Sequence, residues 1–91
     1  MVTIQSEAEE GIVYFNGEYV EASRAKISIL DRGFIFGDAA YDIGRTFNHQ
    51  PYRWEEHIER LFRSLRYVQI DPGLMPDELY HITEVVLEKN K

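Results

Sequence analysis

An α+β fold is predicted by three features of this 91-residue chain. Residues 55–68 carry an apolar stripe at helical spacing, a second such stripe follows Pro76, and β-rich runs punctuated by turn residues precede both. The expected arrangement is a small meandering antiparallel sheet covered by two helices, a layer pair that buries one face of each element.

Residues 1–11 are acidic and rich in small residues, which reads as a loose lead-in to a single domain over residues 12–91. Residues 12–20, I-V-Y-F-N-G-E-Y-V, place two β-rich runs around Asn16-Gly17, the dipeptide best suited to a two-residue turn with positive φ. Alternation weakens over residues 21–29, where a loop and a short strand around Ile27 and Ile29 are expected. Residues 31–38 hold Gly33 and Gly37 among aromatics, the pattern of a turn-rich loop packed under a cover of Phe side chains. Residues 40–47 read as a strand, whose period of two sets Tyr41, Ile43, Arg45 and Phe47 on one face and Asp42, Gly44 and Thr46 on the other. Asn48-His49-Gln50 then turns the chain into a returning strand at residues 51–54.

The helix over residues 55–68 is the clearest element. Ile58, Leu61, Phe62, Leu65 and Val68 form its stripe, with Trp54 one turn ahead. Asp71-Pro72-Gly73 breaks the chain. Pro76, Asp77 and Glu78 suit a helix start, Leu79, Ile82 and Val86 form the second stripe, and Lys89 and Lys91 suit the negative end of that helix.

Composition narrows the classes of function. A formal charge of −6 disfavours a general nucleic-acid or anionic-membrane binder, although Arg53, Arg60, Arg63 and Arg66 lie close in sequence. The absence of cysteine excludes disulfides and thiolate metal sites. His49 and His81 are isolated, and no His or carboxylate pair has metal-ligand spacing, so no metal site is expected. No apolar run is long enough to span a bilayer. The first ten residues lack the apolar segment of a secretory signal, so a soluble cytoplasmic protein is expected.

Arg60 is the sharpest candidate for chemistry. It lies opposite the Ile58–Leu61–Leu65 stripe, with Glu56 four residues before it and Glu59 four before Arg63, the favourable acid-first order. Spacing alone makes Arg60 a solvated salt-bridge residue. His57, one turn earlier at the edge of the stripe, reads as packed or half-exposed. Tyr41 and Arg45 share a strand face with Ile43, and on the residues alone Arg45 would bridge to an acid such as Asp42.

In order, the chain shows F-N-G in a hairpin, D-R-G-F-x-F-G-D, Y-D-x-x-R, H-x-x-R-L, and P-D-E-L opening a helix. No one of these motifs is specific, but the ordered series over residues 12–90 resembles the N-terminal small domain of the fold-type IV (class IV) pyridoxal-phosphate aminotransferases, the group of branched-chain and D-amino-acid aminotransferases. The resemblance implies that Arg60 binds the cofactor phosphate with His57 supporting it. A guanidinium suits the task because it is always charged and donates parallel hydrogen bonds. It implies that Phe36, Tyr41, Ile43 and Arg45 border the substrate cavity. Phe36-Gly37-Asp38 and Tyr41 look like the D-amino-acid branch and Arg45 like the branched-chain branch, which leaves the substrate open.

The resemblance further implies amino-acid and 2-oxo-acid substrates and a homodimer. The family's cofactor-bearing lysine lies on a larger second domain, and Lys26, Lys89 and Lys91 do not match its position. No catalytic residue is therefore expected in this segment, which alone should be inactive. An aminodeoxychorismate-type lyase on the same fold, or a non-catalytic interaction domain, are the alternatives.

Overall fold

The computed structural model describes residues 11–91, so all but Gly11 of the expected lead-in lies outside the described residues. Strands β1 (Ile12–Phe15) and β2 (Glu18–Glu21) pair antiparallel, with Val13 opposite Val20 and Tyr14 opposite Tyr19. Their two-residue turn is the expected one: Asn16 and Gly17 both have positive φ, 49° and 90°, which matches the right-handed twist of the strands. The Tyr14 and Tyr19 rings meet edge to face at 5.2 Å. A single 3₁₀ turn, Ala22–Arg24, follows, and no strand forms around Ile27 and Ile29.

The expected loop over residues 31–38 contains a short helix, α1 (Arg32–Phe36). The Asp31 carboxylate accepts from the Gly33 N–H at 2.9 Å, an N-cap. Gly37 closes the helix in the left-handed region at φ 70°, which a residue with a Cβ rarely adopts. The Phe side chains do not form a cover here: Phe34 and Phe36 are both exposed. Helix prevailed because Asp31 and Gly37 supply both caps for one turn.

Strands β3 (Arg45–Phe47) and β4 (Gln50–Tyr52) form a second hairpin, turned by Asn48 and His49 with φ of 51° and 62°. The strand expected over residues 40–47 is thus hydrogen-bonded only at its end. Its period of two survives upstream, however, because Asp42 and Gly44 are half-buried while Tyr41, Ile43 and Arg45 are exposed. The described strands form two separate two-stranded sheets rather than one continuous meander.

Helix α2 (Trp54–Tyr67) and helix α3 (Pro76–Lys89) pack on each other, and α3 also touches β1. Pro76 opens α3 and the Glu78 carboxylate accepts from the Met75 N–H at 3.0 Å. The Asn90 side chain ties the far end of α3 to β1, accepting from the Ile12 N–H and donating to the Ile12 carbonyl, each at 2.8 Å.

The α+β class therefore holds, with two long helices against antiparallel strands, but the core is thin. Ile58 of α2, 6% exposed, is the one buried hydrophobic residue among those described. Leu61, Leu65, Leu79, Ile82 and Val86 are half-buried, and Val68, expected on the stripe, is exposed beyond the last turn of α2. The chain exposes 7949 Å², where a compact monomer of its 10.7 kDa exposes about 5,500 Å². Much of the surplus is apolar, since Ile27, Ile29, Leu30, Phe34, Ile35 and Phe36 are all exposed within ten residues of one another.

Candidate functional site

The site begins with a glycine. A Cβ on Gly44 would collide with the six-membered ring of Trp54, so only glycine lets this segment lie flat on the start of α2. That contact seats Trp54, whose ring lies 5.7 Å from the His57 imidazole one turn later. Two residues before Gly44 and on the same face, Asp42 reaches the next turn of the helix.

There the Asp42 carboxylate takes three hydrogen bonds. Arg60 donates to it from Nε and from Nη2, both at 2.6 Å, the side-on two-pronged geometry that gives the strongest carboxylate pairing. His57 Nδ1 lies 2.8 Å from the same oxygen that receives Arg60 Nη2. Nδ1 is also 3.0 Å from Arg60 Nη2. With the carboxylate ionised, a proton on Nδ1 makes both nitrogens donors to one shared acceptor, the arrangement in which no lone pair faces another. The hydrogen bonds from Arg60 hold the Asp42 carboxyl well below the usual carboxylate range; burial opposes them, and the His57 hydrogen bond adds a lesser lowering. Asp42 in turn raises Arg60 further above its ordinary value.

Burial is unequal within the cluster. The Asp42 side chain is 9% exposed, that of His57 23% and that of Arg60 58%. The carboxylate is the anchor, and the guanidinium is held at the surface with Nη1 making no hydrogen bond among the described residues. Arg60 borders a shallow groove of ≈ 380 Å³ with Tyr41, Asp42, Ile43 and Ser64. A second hollow of ≈ 520 Å³ adjoins it, sharing Tyr41 and Ser64 and adding Arg63, Tyr67 and Val68.

Of the residues singled out in the sequence, Arg60, Tyr41 and Ile43 come together at this groove. Phe36 and Arg45 are not among its lining residues. Phe36 ends α1 with the Arg32 guanidinium over its ring at 5.1 Å, and Arg45 opens β3 opposite Tyr52. The expected helical pairs do not form either. Arg60 turns from Glu56 to Asp42, and Glu56 instead lies 3.9 Å from Arg53. Asp42, weighed in the sequence only as a partner for Arg45, is the residue whose part was missed. Its signal was its place on the strand face opposite Tyr41 and Ile43, shared with Gly44.

Among the described residues no cluster of His, Asp and Glu is arranged to hold a metal ion, and no helix is long and apolar enough to cross a membrane.

A small α+β layer with an anchored arginine at the rim of a shallow groove defines the candidate site, and comparison with known proteins says what the chain is similar to. The chain is 36% identical over 78 residues to the D-alanine aminotransferase of Staphylococcus haemolyticus, covering 86% of this chain and 28% of that protein. It is 34% identical over 79 residues to the D-alanine aminotransferase of Staphylococcus aureus (strain N315), covering 87% and 28%. A protein of Methanocaldococcus jannaschii provisionally named a branched-chain-amino-acid aminotransferase is 34% identical over 76 residues, covering 84% and 25%. The chain belongs to the class IV aminotransferase family. It spans little more than a quarter of the length of the curated relatives it matches. No model of a known protein family matches it.

Proposed function

We propose that this chain is the N-terminal small domain of a pyridoxal-phosphate-dependent aminotransferase, of the branched-chain or D-amino-acid type, that moves an amino group between an amino acid and a 2-oxo acid in the cytoplasm. The observation that carries this reading is the Arg60 guanidinium, clamped by Asp42 with its Nη1 end unengaged, at the edge of a groove lined by Tyr41 and Ile43.

The residues present fit a phosphate monoester. Nη1 offers two unengaged donors for phosphate oxygens, and the Ser64 hydroxyl lines the same groove. Bound there, the cofactor supplies the electron sink for amino transfer, while the protein supplies binding and orientation. Arg60 would hold the phosphate, Asp42 and His57 would hold Arg60, and Tyr41 and Ile43 would border the substrate. Phe36 and Arg45 lie outside this groove. The residue that bonds the cofactor covalently lies in the remainder of the enzyme: Lys89 sits over the Tyr19 ring and Lys91 pairs with Glu88, and neither these nor Lys26 lines the groove. The exposed apolar segment around α1 supports docking against that remainder or a second subunit.

Titrating the apo form of the longer protein with pyridoxal 5′-phosphate tests the reading. Arg60→Ala should weaken binding roughly ten- to a hundredfold, the scale of hydrogen bonds to a charged group. Arg60→Lys should recover part of the loss, keeping the charge without the fork. Unchanged affinity in Arg60→Ala would refute the assignment. The 91-residue chain itself should retain no cofactor absorbance after dialysis and should not transaminate.

A further inference from the structure

We propose that Asp42 is a positioning residue for anion recognition: it occupies the Nε–Nη2 edge of Arg60 and so aims Nη1 at a phosphate monoester in the groove. The inference rests on the reading of Arg60 as a phosphate ligand. It assigns a role to a residue that touches no ligand and carries the wrong charge to attract one.

Three observations lead to it. The first is the inequality of burial, with Asp42 at 9% and Arg60 at 58% side-chain exposure. A half-exposed arginine otherwise samples many rotamers, and the ordering entropy would be lost at the moment of binding. The second is geometry. Two bonds of 2.6 Å fix the guanidinium in plane and in rotation, and His57 Nδ1, 2.8 Å from the oxygen that receives Nη2 and 3.0 Å from Nη2 itself, holds that oxygen beside the fork. The third is the choice of partner. Glu56 and Glu59 flank Arg60 on its own helix, yet the bond formed is to a carboxylate 18 residues away, on the segment that also carries Tyr41 and Ile43. The clamp therefore sets the guanidinium relative to the groove rather than relative to the helix.

Plain electrostatics predicts the opposite effect from positioning. Asp42 neutralises most of the Arg60 charge and stands beside the incoming phosphate. If charge alone governed affinity, Asp42→Asn would tighten binding by removing a repulsion. If positioning governs it, Asp42→Asn weakens binding, because the Asn side-chain amide sets a donor against one of the guanidinium donors and the fork is lost.

The experiment uses the longer apo protein titrated with pyridoxal 5′-phosphate and, separately, with inorganic phosphate, together with the Arg60 Nε–H signal in ¹⁵N-arginine spectra. In the parent that signal should be slow to exchange with water. Asp42→Asn should abolish its protection and weaken binding of both ligands by roughly tenfold, the scale of removing a group that orients a ligand-binding residue. Asp42→Glu should restore part of both. In an Arg60→Lys background, Asp42→Asn should add little, since there is no fork left to orient.

Equal or tighter binding by Asp42→Asn overturns the proposal while leaving Arg60 as the phosphate ligand, and so does a failure of Asp42→Asn to fold, which would make Asp42 structural. Intact affinity in Arg60→Lys together with an Arg60 signal unmoved by phosphate removes the reading beneath it as well.

Discussion

Replacing Gly44 with alanine tests whether the site is seated by close contact with Trp54, because the two available arguments predict opposite signs. Gly44 is not among the glycines with positive φ, so its backbone is open to alanine. On unfolded-state entropy alone the substitution would stabilise by about 0.4–1 kcal/mol. The structure forbids that gain, because the new Cβ would lie within the Trp54 ring, among Cζ3, Cε3 and Cη2. The ring must move, and overpacking of this kind costs about 1–3 kcal/mol. For 91 residues that converts to a fall in melting temperature of about 5–16 °C.

The consequence reaches the site because Trp54 opens α2 and His57 lies against its ring. Displacing the indole moves the first turn of the helix off the segment that carries Asp42. Thermal melts followed by circular dichroism measure the cost, and the same substitution in a Trp54→Leu background isolates its cause. There the clash is absent, so Gly44→Ala should be near neutral or stabilising. A melting temperature unchanged or raised by Gly44→Ala in the parent, or an equal loss in both backgrounds, would refute the reasoning.

Three further outcomes are expected. Ile58→Ala should destabilise the protein by about 2–5 kcal/mol, the cost of emptying a core position, since Ile58 is the buried hydrophobe between α2 and its neighbours; denaturant unfolding with an unchanged slope measures it. Asp42 has a lowered folded-state pKa, so its contribution to stability should be complete above the ordinary value of 3.8 and lost as the pH falls from there toward the lowered value; the difference in melting temperature between the parent and Asp42→Asn should shrink over that window and stay constant above it. The apolar surface around α1 should drive association, so sedimentation of the 91-residue chain should show species heavier than monomer that decline in Phe34→Ser/Phe36→Ser, and a strict monomer at all concentrations would refute this.

Local chemistry explains which parts of the fold were legible. Both hairpins turn where residues tolerating positive φ fall between β-rich runs, and both helices begin and end within a residue or two of their signals. Pairing was legible only where neighbours in sequence are neighbours in space. Glu56 and Arg60 are neighbours on a helical wheel, but the bond Arg60 makes is to Asp42, 18 residues away, and no helical period points there. The continuous sheet failed for a related reason, since strands joined by short turns are fixed locally while the joining of two hairpins depends on a face they both cover. Here each hairpin stands apart, and the apolar residues that would cement a larger sheet remain exposed. Arg60, Tyr41 and Ile43, singled out through the ordered motifs, do border one groove. Asp42 was visible as a face assignment, but its partner required the helix to be laid against the strand.

A thin core changes what holds such a site in place. In a well-packed domain, the segment over residues 38–44 would be pinned by side chains buried beneath it. Here its alternate residues Tyr41 and Ile43 are exposed, and the inward positions are an alanine, an aspartate and a glycine, which bury little apolar area. What pins the segment is the flat contact of Gly44 on Trp54 together with three hydrogen bonds at Asp42. These are directional rather than area-dependent interactions, so the guanidinium keeps its setting even where the surrounding apolar surface is exposed. Without that setting, an arginine free to fold back onto its own helix would pair with Glu56, four residues before it, instead. Asp42 prevents that, and it does so from the segment that borders the groove.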